Sequence, residues 1–216
     1  MGKIYRNNCR LIQFGQLNVS SLSECYPIKD KMALRGIESF LVKCGDRFLN
    51  VDSSITAKIE VTDKLNHWKR VPRKEHPYSV FLFGFDSLSR AHAYRSFKKS
   101  IPFMKELGFL DFNSYHSTSD STLTNFIAFL MGIPRPIIRE TCSKNWNTPF
   151  DTCPLVWNDF SEANYITSFV EDGDQSFNWG GDAGFRRRQP TDYYIHPMFL
   201  ALRKLRRQRL NVCLKL

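Results

Sequence analysis

The sequence predicts an α/β fold in which most strands of the central sheet run parallel. Residues 78–85 (YSVFLFGF) form a near-continuous apolar run, which is typical of a strand buried on both faces. Residues 123–131 carry apolar side chains at helical spacing, and strand-like and helix-like segments alternate after residue 78. Hydrophobic residues make up 42% of the 216 positions, so the chain can build a substantial core and wholesale disorder is excluded.

The composition divides the chain into four segments. They are a strand and turn region at 1–61, a polar connector at 62–77, the α/β part at 78–200 and a basic tail at 201–216. The connector is predicted from its polar, positively charged residues and from Pro72 and Pro77, which favour a surface loop.

Within the α/β part, each element has its own start and stop signals. The first strand ends at Asp86, and Ser100 with Pro102 predicts a short helix that Gly108 terminates. A second strand is predicted at 109–115, followed by the 123–131 helix that ends at Gly132. The remaining predictions are a helix at 157–163 and a strand at 165–172.

The formal charge of +10 is unevenly distributed, which argues against a nucleic-acid function. Residues 186–216 contain nine Lys or Arg and one acidic residue, and therefore carry +8 of that charge. A basic tail on a nearly neutral body differs from a basic domain. Affinity of the tail for phosphate or an anionic membrane remains open.

Cysteine spacing and a glycosylation sequon favour an oxidising compartment. Cys142 and Cys153 bracket a loop-like segment and are candidates for a disulfide, and Asn18 begins the sequon Asn-Val-Ser. Buried free thiols and a chance sequon are the alternatives. We expect the secretory pathway, with an extracellular or membrane-anchored lumenal full-length protein, although no signal peptide or transmembrane segment is visible.

Two residues stand where chemistry collects in parallel sheets. Asp86 closes the strongest predicted strand, and Thr122 begins the following major helix. A carboxylate at a strand end suits a hard cation. A hydroxyl at a helix N-terminus suits attack on a phosphoryl or sulfuryl centre. The alternatives are an Asp that caps a turn and a Thr that caps a helix.

Three ordered motifs resemble the alkaline-phosphatase-like superfamily, and more narrowly its uncharacterised sulfatase-like animal branch, a domain of unknown function. The first motif is Gly-hydrophobic-Asp-Ser-x-Ser-Arg, and the second is Asp-x-Thr-x-x-Asn-hydrophobic ending in Leu-x-Gly. The third is Trp-x-x-Phe followed by Tyr-x-Thr-x-x-x-Glu-Asp. Here they begin at Gly84, Asp120 and Trp157. The resemblance implies a partial alkaline-phosphatase-like three-layer sandwich.

The resemblance also implies roles for individual residues. Asp86 corresponds to a metal ligand and Thr122 to the metal-bound nucleophile, while Asn125 and Arg90 correspond to residues that could meet an anionic phosphate- or sulfate-ester substrate. A helix-packing amide and a surface ion pair are the alternatives for the last two. The implied cofactor is a divalent metal, namely zinc, calcium or manganese, with zinc preferred.

Ordinary sulfatase chemistry is not expected. Sulfatases of the superfamily convert a Cys or Ser in a Cys/Ser-x-Pro-x-Arg motif to formylglycine, and residues 122–126 read Thr-Leu-Thr-Asn-Phe instead. A Thr nucleophile resembles the phosphodiesterase, phosphatase or phosphoethanolamine-transferase members.

The superfamily's later metal ligands, including an Asp-His pair, have no counterpart in this sequence. His116 sits in no such motif, and His196 is a weak candidate for a late ligand. We therefore expect a truncated member of a hydrolase or transferase lineage that is inactive alone. The alternative is a catalytically inactive α/β fragment or interaction protein. Such a fragment would expose a sheet edge, which predicts self-association.

Overall fold

The computed structural model describes part of the chain. The described residues are 9–13, 26–27, 40–44, 47–49, 59–142, 149–171, 184–185, 189–197 and 199–200. Asn18, the basic tail at 201–216 and most of the 1–61 region lie outside them, so the predictions made there stay predictions.

The N-terminal region contains an antiparallel sheet with the strand order β2-β1-β3-β4. Its strands are β1 (Cys9–Gln13), β2 (Tyr26–Pro27), β3 (Phe40–Cys44) and β4 (Arg47–Leu49). β1 pairs with both β2 and β3, and β3 pairs with β4. Strands were expected in this region, and their antiparallel pairing sets them apart from the parallel sheet predicted for the rest of the chain.

The described part of residues 59–200 contains six α-helices with defined bounds, two short 3₁₀ helices at Arg73–Glu75 and Phe150–Thr152, further helical residues at 196–197 and 199–200, and a parallel strand pair. The helices are α1 (Ile59–Arg70), α2 (Arg90–Ser96), α3 (Ser100–Glu106), α4 (Thr122–Met131), α5 (Arg135–Thr141) and α6 (Val156–Glu162). The strands are β5 (Ser168–Phe169) and β6 (Tyr193–Tyr194), which run parallel. The predicted helices are confirmed in α3, α4 and α6, and Gly108 and Gly132 adopt positive φ angles of 82° and 64° just after α3 and α4.

Helix α1 lies where the sequence predicted the start of a polar surface connector. Val61 is 2% exposed, and Trp68 donates a hydrogen bond of 2.8 Å from Nε1 to the carbonyl oxygen of Asn164. The helix ends shortly before Pro72, and His76 contacts the carbonyl oxygens of Trp68 and Val71 through Nε2 at 3.1 and 3.0 Å. Residues 59–70 are therefore a helix that packs through one side and is capped at its C-terminal end, whereas residues 72–77 are exposed.

The hydrophobic core surrounds helix α4. Its buried side chains come from α4, α5, α6 and β6 and from described residues outside these elements. They are Leu123, Ile127, Leu130, Met131, Ile138, Phe150, Cys153, Leu155, Trp157, Phe185 and Tyr194. Because one face of α4 is buried, Thr122 at its first turn is fixed relative to the core.

Two segments predicted as strands differ from that expectation. Residues 78–85 and 109–115 make no strand pairing, and their large apolar side chains are exposed, with Phe81 at 83% and Leu110 at 82%. Strands need neighbours for their backbone groups and covers for their faces, and no described element supplies either. The mostly parallel sheet and the three-layer sandwich remain predictions.

Candidate functional site

The first residue of helix α4 is Thr122, one of the two residues predicted to carry chemistry. Ser121 precedes it in an extended conformation, with φ −111° and ψ 135°, and so marks the change from loop to helix. Leu123 and Ile127 anchor the helix in the core at 8% and 0% exposure. The Thr122 hydroxyl is thereby held at a helix N-terminus, where the backbone dipoles favour negative charge.

Asp86 sits in a tight turn directly after the 78–85 segment. Ser87 has a positive φ of 57°, an uncommon conformation for a residue other than glycine, and its backbone N–H donates a 2.9 Å hydrogen bond to Asp86 Oδ1. Left-handed backbone conformations of this kind cluster at functional sites. The turn therefore aims and holds the Asp86 carboxylate.

The structure brings the two predicted residues together. Thr122 Oγ1 donates a hydrogen bond of 3.2 Å to Asp86 Oδ1, across 36 positions of sequence. The contact is open to solvent, so an ester could approach the hydroxyl directly. A hydroxyl that donates to a carboxylate has a lone pair free for attack and an acceptor for its proton.

Asn125 shapes the loop before Thr122. Its Oδ1 accepts from the backbone N–H and hydroxyl of Thr118 at 2.9 and 3.2 Å and from the N–H of Ser119 at 3.0 Å. Its Nδ2 donates to the carbonyl oxygens of Ser119 and Ser121 at 2.8 and 3.0 Å. With five hydrogen bonds to three residues, the amide fixes the 118–121 loop, and the predicted contact with substrate remains a prediction.

Arg90 makes an exposed network of its own. Nη2 donates to Asp111 Oδ2 at 2.7 Å and to Asn113 Oδ1 at 2.5 Å, and the guanidinium lies 4.8 Å from the centre of the Tyr94 ring. Tyr94 also donates to Asp111. Hydrogen bonds from Arg90 and then Tyr94 hold the pKa of Asp111 below its usual range. Arg90 is engaged as a surface ion pair in this arrangement, and its role toward substrate is still a prediction.

His116 and His196 lie in different surroundings. His116 is exposed, and its Nδ1 contacts the carbonyl oxygen of Ser114 at 3.1 Å. His196 is 8% exposed and stacks on Tyr194 with ring centres 5.6 Å apart. Among the described residues, no group of three or more His, Cys, Asp or Glu side chains could hold a metal ion.

The predicted disulfide is present. Cys142 and Cys153 are bonded, with Cα atoms 5.1 Å apart and a sequence separation of 11. Cys153 is 2% exposed and belongs to the core, while Cys142 packs against it from the end of α5. The bond therefore ties α5 to the segment that leads into α6.

A partly buried ion pair that sequence reasoning missed joins α1 to the core. Lys64 Nζ lies 2.8 Å from Asp192 Oδ2, and the two side chains are only 12% and 8% exposed. Lys64 also donates to Ser161 Oγ and to the carbonyl oxygen of Tyr165 at 2.8 and 2.9 Å, while Thr167 donates to Asp192 from its backbone N–H at 2.7 Å. The signal that could have found α1 is the helical spacing of Val61, Leu65 and Trp68 before Pro72.

The electrostatics of Asp192 reflect this setting. Burial by itself raises the pKa of its carboxyl, but hydrogen bonds from Lys64 and Thr167 act in the opposite direction and hold that pKa below its usual range. A carboxylate so bound stays charged down to acid pH, which suits a structural tie.

Comparison with known proteins gives one family. The family described as "Protein of unknown function (DUF229)" matches residues 7–215. No curated protein and no solved structure matches the chain. None of the helices in the described residues is both long enough and apolar enough to cross a membrane. The family match covers nearly the whole sequence and agrees with the sulfatase-like motifs around Asp86 and Thr122. The chain therefore belongs to the DUF229 family, a sulfatase-like family of unknown function.

Proposed function

We propose that this chain comes from an enzyme that hydrolyses or transfers phosphate esters, with Thr122 as the nucleophile and Asp86 as its partner. The observation that carries the proposal is the 3.2 Å hydrogen bond between Thr122 Oγ1 and Asp86 Oδ1. The sulfatase-like family supports a hydrolase lineage. The alkaline-phosphatase-like sandwich remains part of the proposal.

The chemistry follows from the direction of that hydrogen bond. Thr122 Oγ1 attacks the phosphorus, its P–O bond forms, and the bond between phosphorus and the leaving alcohol breaks. The Asp86 carboxylate accepts the proton of the hydroxyl, and solvent water protonates the alcohol that leaves from the opposite side of the phosphorus. Water then cleaves the phosphothreonine, or a second alcohol accepts the phosphoryl group, and the hydroxyl is restored.

We propose phosphate esters over sulfate esters because of the nucleophile itself. Residues 122–126 contain neither the Cys or Ser that becomes formylglycine nor the Pro and Arg that accompany it. A threonine hydroxyl, in contrast, can take up a phosphoryl group without prior modification.

A divalent metal, preferably zinc, is part of the proposal but is only partly supported by the donors present. Asp86 and Thr122 offer two oxygen donors, whereas catalytic zinc sites have three protein ligands. The described residues alone therefore do not fit a complete zinc site. A bound cation would supply charge stabilisation at the reacting oxygens.

A non-catalytic role is the second candidate, and the same donor count favours it. If the described residues supply only two ligands, Asp86 and Thr122 can persist as a turn and a helix start in an interaction protein. The two candidates differ in metal content and in turnover, which can be measured separately.

The first test is metal content of the purified chain by plasma mass spectrometry. Asp86→Asn is compared with Asp63→Asn, because both aspartates are exposed and Asp63 lies on α1 away from the Thr122 contact. Stoichiometric zinc, calcium or manganese that is lost only in Asp86→Asn supports a metal-dependent site. No metal in any of the three proteins favours the non-catalytic role.

The second test is turnover of phosphate mono- and diesters in the presence of each metal. If the unsubstituted chain turns over these esters, Thr122→Ala should abolish turnover and Thr141→Ala, an exposed helical threonine, should retain it. No turnover by the unsubstituted chain with any metal favours the non-catalytic role. Phosphothreonine at position 122 in acid-quenched samples would identify the nucleophile. Equal turnover by both variants would refute the assigned role of Thr122.

We further propose that the protein passes through the secretory pathway and is glycosylated at Asn18. The Cys142–Cys153 disulfide supports an oxidising compartment, because such bonds rarely persist in the cytosol. Mass analysis of the native protein before and after removal of N-glycans tests the sequon. An unchanged mass would refute glycosylation at Asn18.

A further inference from the structure

The register of the N-terminal sheet places two cysteines directly opposite each other. In the antiparallel pair of β1 with β3, Cys9 is the partner of Cys44, at the end of both strands. We propose that Cys9 and Cys44 form a second disulfide, which crosses the two central strands of the sheet.

The backbone geometry of the two strands permits the bond. Directly opposed residues in an antiparallel pair have Cα atoms about 4.5–5.5 Å apart. Disulfides need Cα atoms about 4.4–6.8 Å apart, so either kind of opposed pair falls within reach. Opposed residues also occupy the same face of a sheet, so no rotation of a strand is required.

A second, independent observation concerns the redox state. The Cys142–Cys153 bond lies in a different part of the chain, and it already implies that the protein meets oxidising conditions. Two thiols placed opposite each other under those conditions oxidise readily. A structural metal is a poorer match, because a closed zinc site needs four ligands and this position supplies two.

The reaction is a thiol–disulfide exchange. The Cys9 and Cys44 thiols lose two protons and two electrons, and one S–S bond forms between them. An oxidised protein dithiol or glutathione disulfide accepts the electrons and protons and is reduced to two thiols.

The bond would fix the sheet at a defined point. β1 and β3 are its central strands, and β2 and β4 pair with them from either side. The link would join two residues 35 positions apart in sequence and close the chain between them into a loop, which restricts the unfolded chain. The N-terminal sheet would then hold its register through a covalent bond and its backbone hydrogen bonds together.

The experiment is tryptic peptide mapping of the unreduced, alkylated full chain after secretion. The sequence suits it, because Cys9 falls in the peptide at 7–10, Cys44 at 44–47, Cys25 at 11–29 and Cys213 at 210–215. We expect the 7–10 and 44–47 peptides joined in one species that separates on reduction. The peptides of Cys142 and Cys153 serve as an internal control for oxidation.

Single variants give a second measurement. In Cys44→Ser we expect the Cys9 thiol to become fully alkylated, and in the matched Cys25→Ser variant we expect Cys9 to stay protected. The proposal is overturned if Cys9 and Cys44 are both alkylated in a chain whose Cys142–Cys153 bond is intact. Linkage of Cys9 to Cys25 or to Cys213 would overturn it equally. Because the mapping uses the unsubstituted chain, the result does not depend on the folding of a variant.

Discussion

Helix α4 and the segment 78–85 are both strongly apolar, yet they differ sharply in burial. Ile127 on α4 is 0% exposed, whereas Phe81 is 83% exposed. A helix satisfies its own backbone hydrogen bonds and needs one covered face, while a strand needs partners at both edges and covers on both faces. Thr122 therefore stands on a well-supported element and Asp86 on a poorly supported one. The geometry of the contact between Thr122 and Asp86 therefore depends mainly on how firmly the 78–85 segment is held.

The largest loss of stability is expected for Ile127→Ala, in the buried core around α4. This change leaves a cavity in the packed core around α4, and we expect the free energy of unfolding to fall by about 3–4 kcal/mol. Ile137→Ala is the matched control, because Ile137 is 47% exposed on the neighbouring helix α5. Urea unfolding followed by tryptophan fluorescence measures both. Equal losses in the two variants would contradict the difference in burial.

The next largest loss of stability is expected when the Lys64–Asp192 ion pair between α1 and the core is broken. Asp192→Asn leaves Lys64 buried without its partner charge, and we expect a loss of about 2–3 kcal/mol. The expected loss is smaller than for a fully buried ion pair, because both side chains retain some contact with water. Asp63→Asn, on the exposed face of α1, should change the free energy of unfolding by less than about 0.5 kcal/mol.

The same pair gives a pH dependence. Because the folded pKa of Asp192 lies below its ordinary value, its contribution to stability is present above the unfolded pKa and is lost as pH falls through the folded pKa. The difference between the unsubstituted protein and Asp192→Asn should thus be constant near neutral pH and shrink below about pH 4. Unfolding curves at pH 7, 5 and 3 measure it, and a difference that grows toward acid would contradict the assignment.

Asn125→Ala tests the 118–121 loop, which connects the exposed 109–115 segment to helix α4. The variant loses five hydrogen bonds that hold the 118–121 loop, and we expect a loss of about 1–2 kcal/mol, partly offset by the helix preference of alanine. Asn158→Ala is the control, because Asn158 donates one side-chain bond, of 3.3 Å, to the carbonyl oxygen of Cys153. Calorimetric melting of both variants measures the effect. A smaller loss for Asn125→Ala than for Asn158→Ala would show that the amide does not organise the loop.

The helices were predictable because their signals are local: Gly108 and Gly132 end α3 and α4 where the sequence predicted. Asp86 and Thr122 lie in contact, although the segment before Asp86 is not a paired strand among the described residues, and their catalytic roles stay predictions. The ion pair between Lys64 and Asp192 was not predictable, because its partners are 128 positions apart and Lys64 lies in a segment whose polar composition resembles a loop. The exposure of 78–85 differs from the prediction for a related reason. An apolar run shows that a strand would need to be buried, but only neighbouring elements in the fold can pair with it and cover its faces.

The smallest effect on stability is expected in the exposed 78–85 segment, where substitutions should change self-association of the chain instead. Leu82 is 58% exposed, so Leu82→Ser should alter the free energy of unfolding by no more than about 0.5 kcal/mol. Exposed apolar segments with unpaired backbone groups favour contact with a second copy of the chain. We therefore expect the unsubstituted protein to self-associate with rising concentration in sedimentation velocity, and Leu82→Ser to reduce this. Leu65→Ser is the matched control, because Leu65 is 42% exposed on α1, and it should associate like the unsubstituted protein. A chain that stays monomeric at every concentration would show that these segments do not mediate self-association.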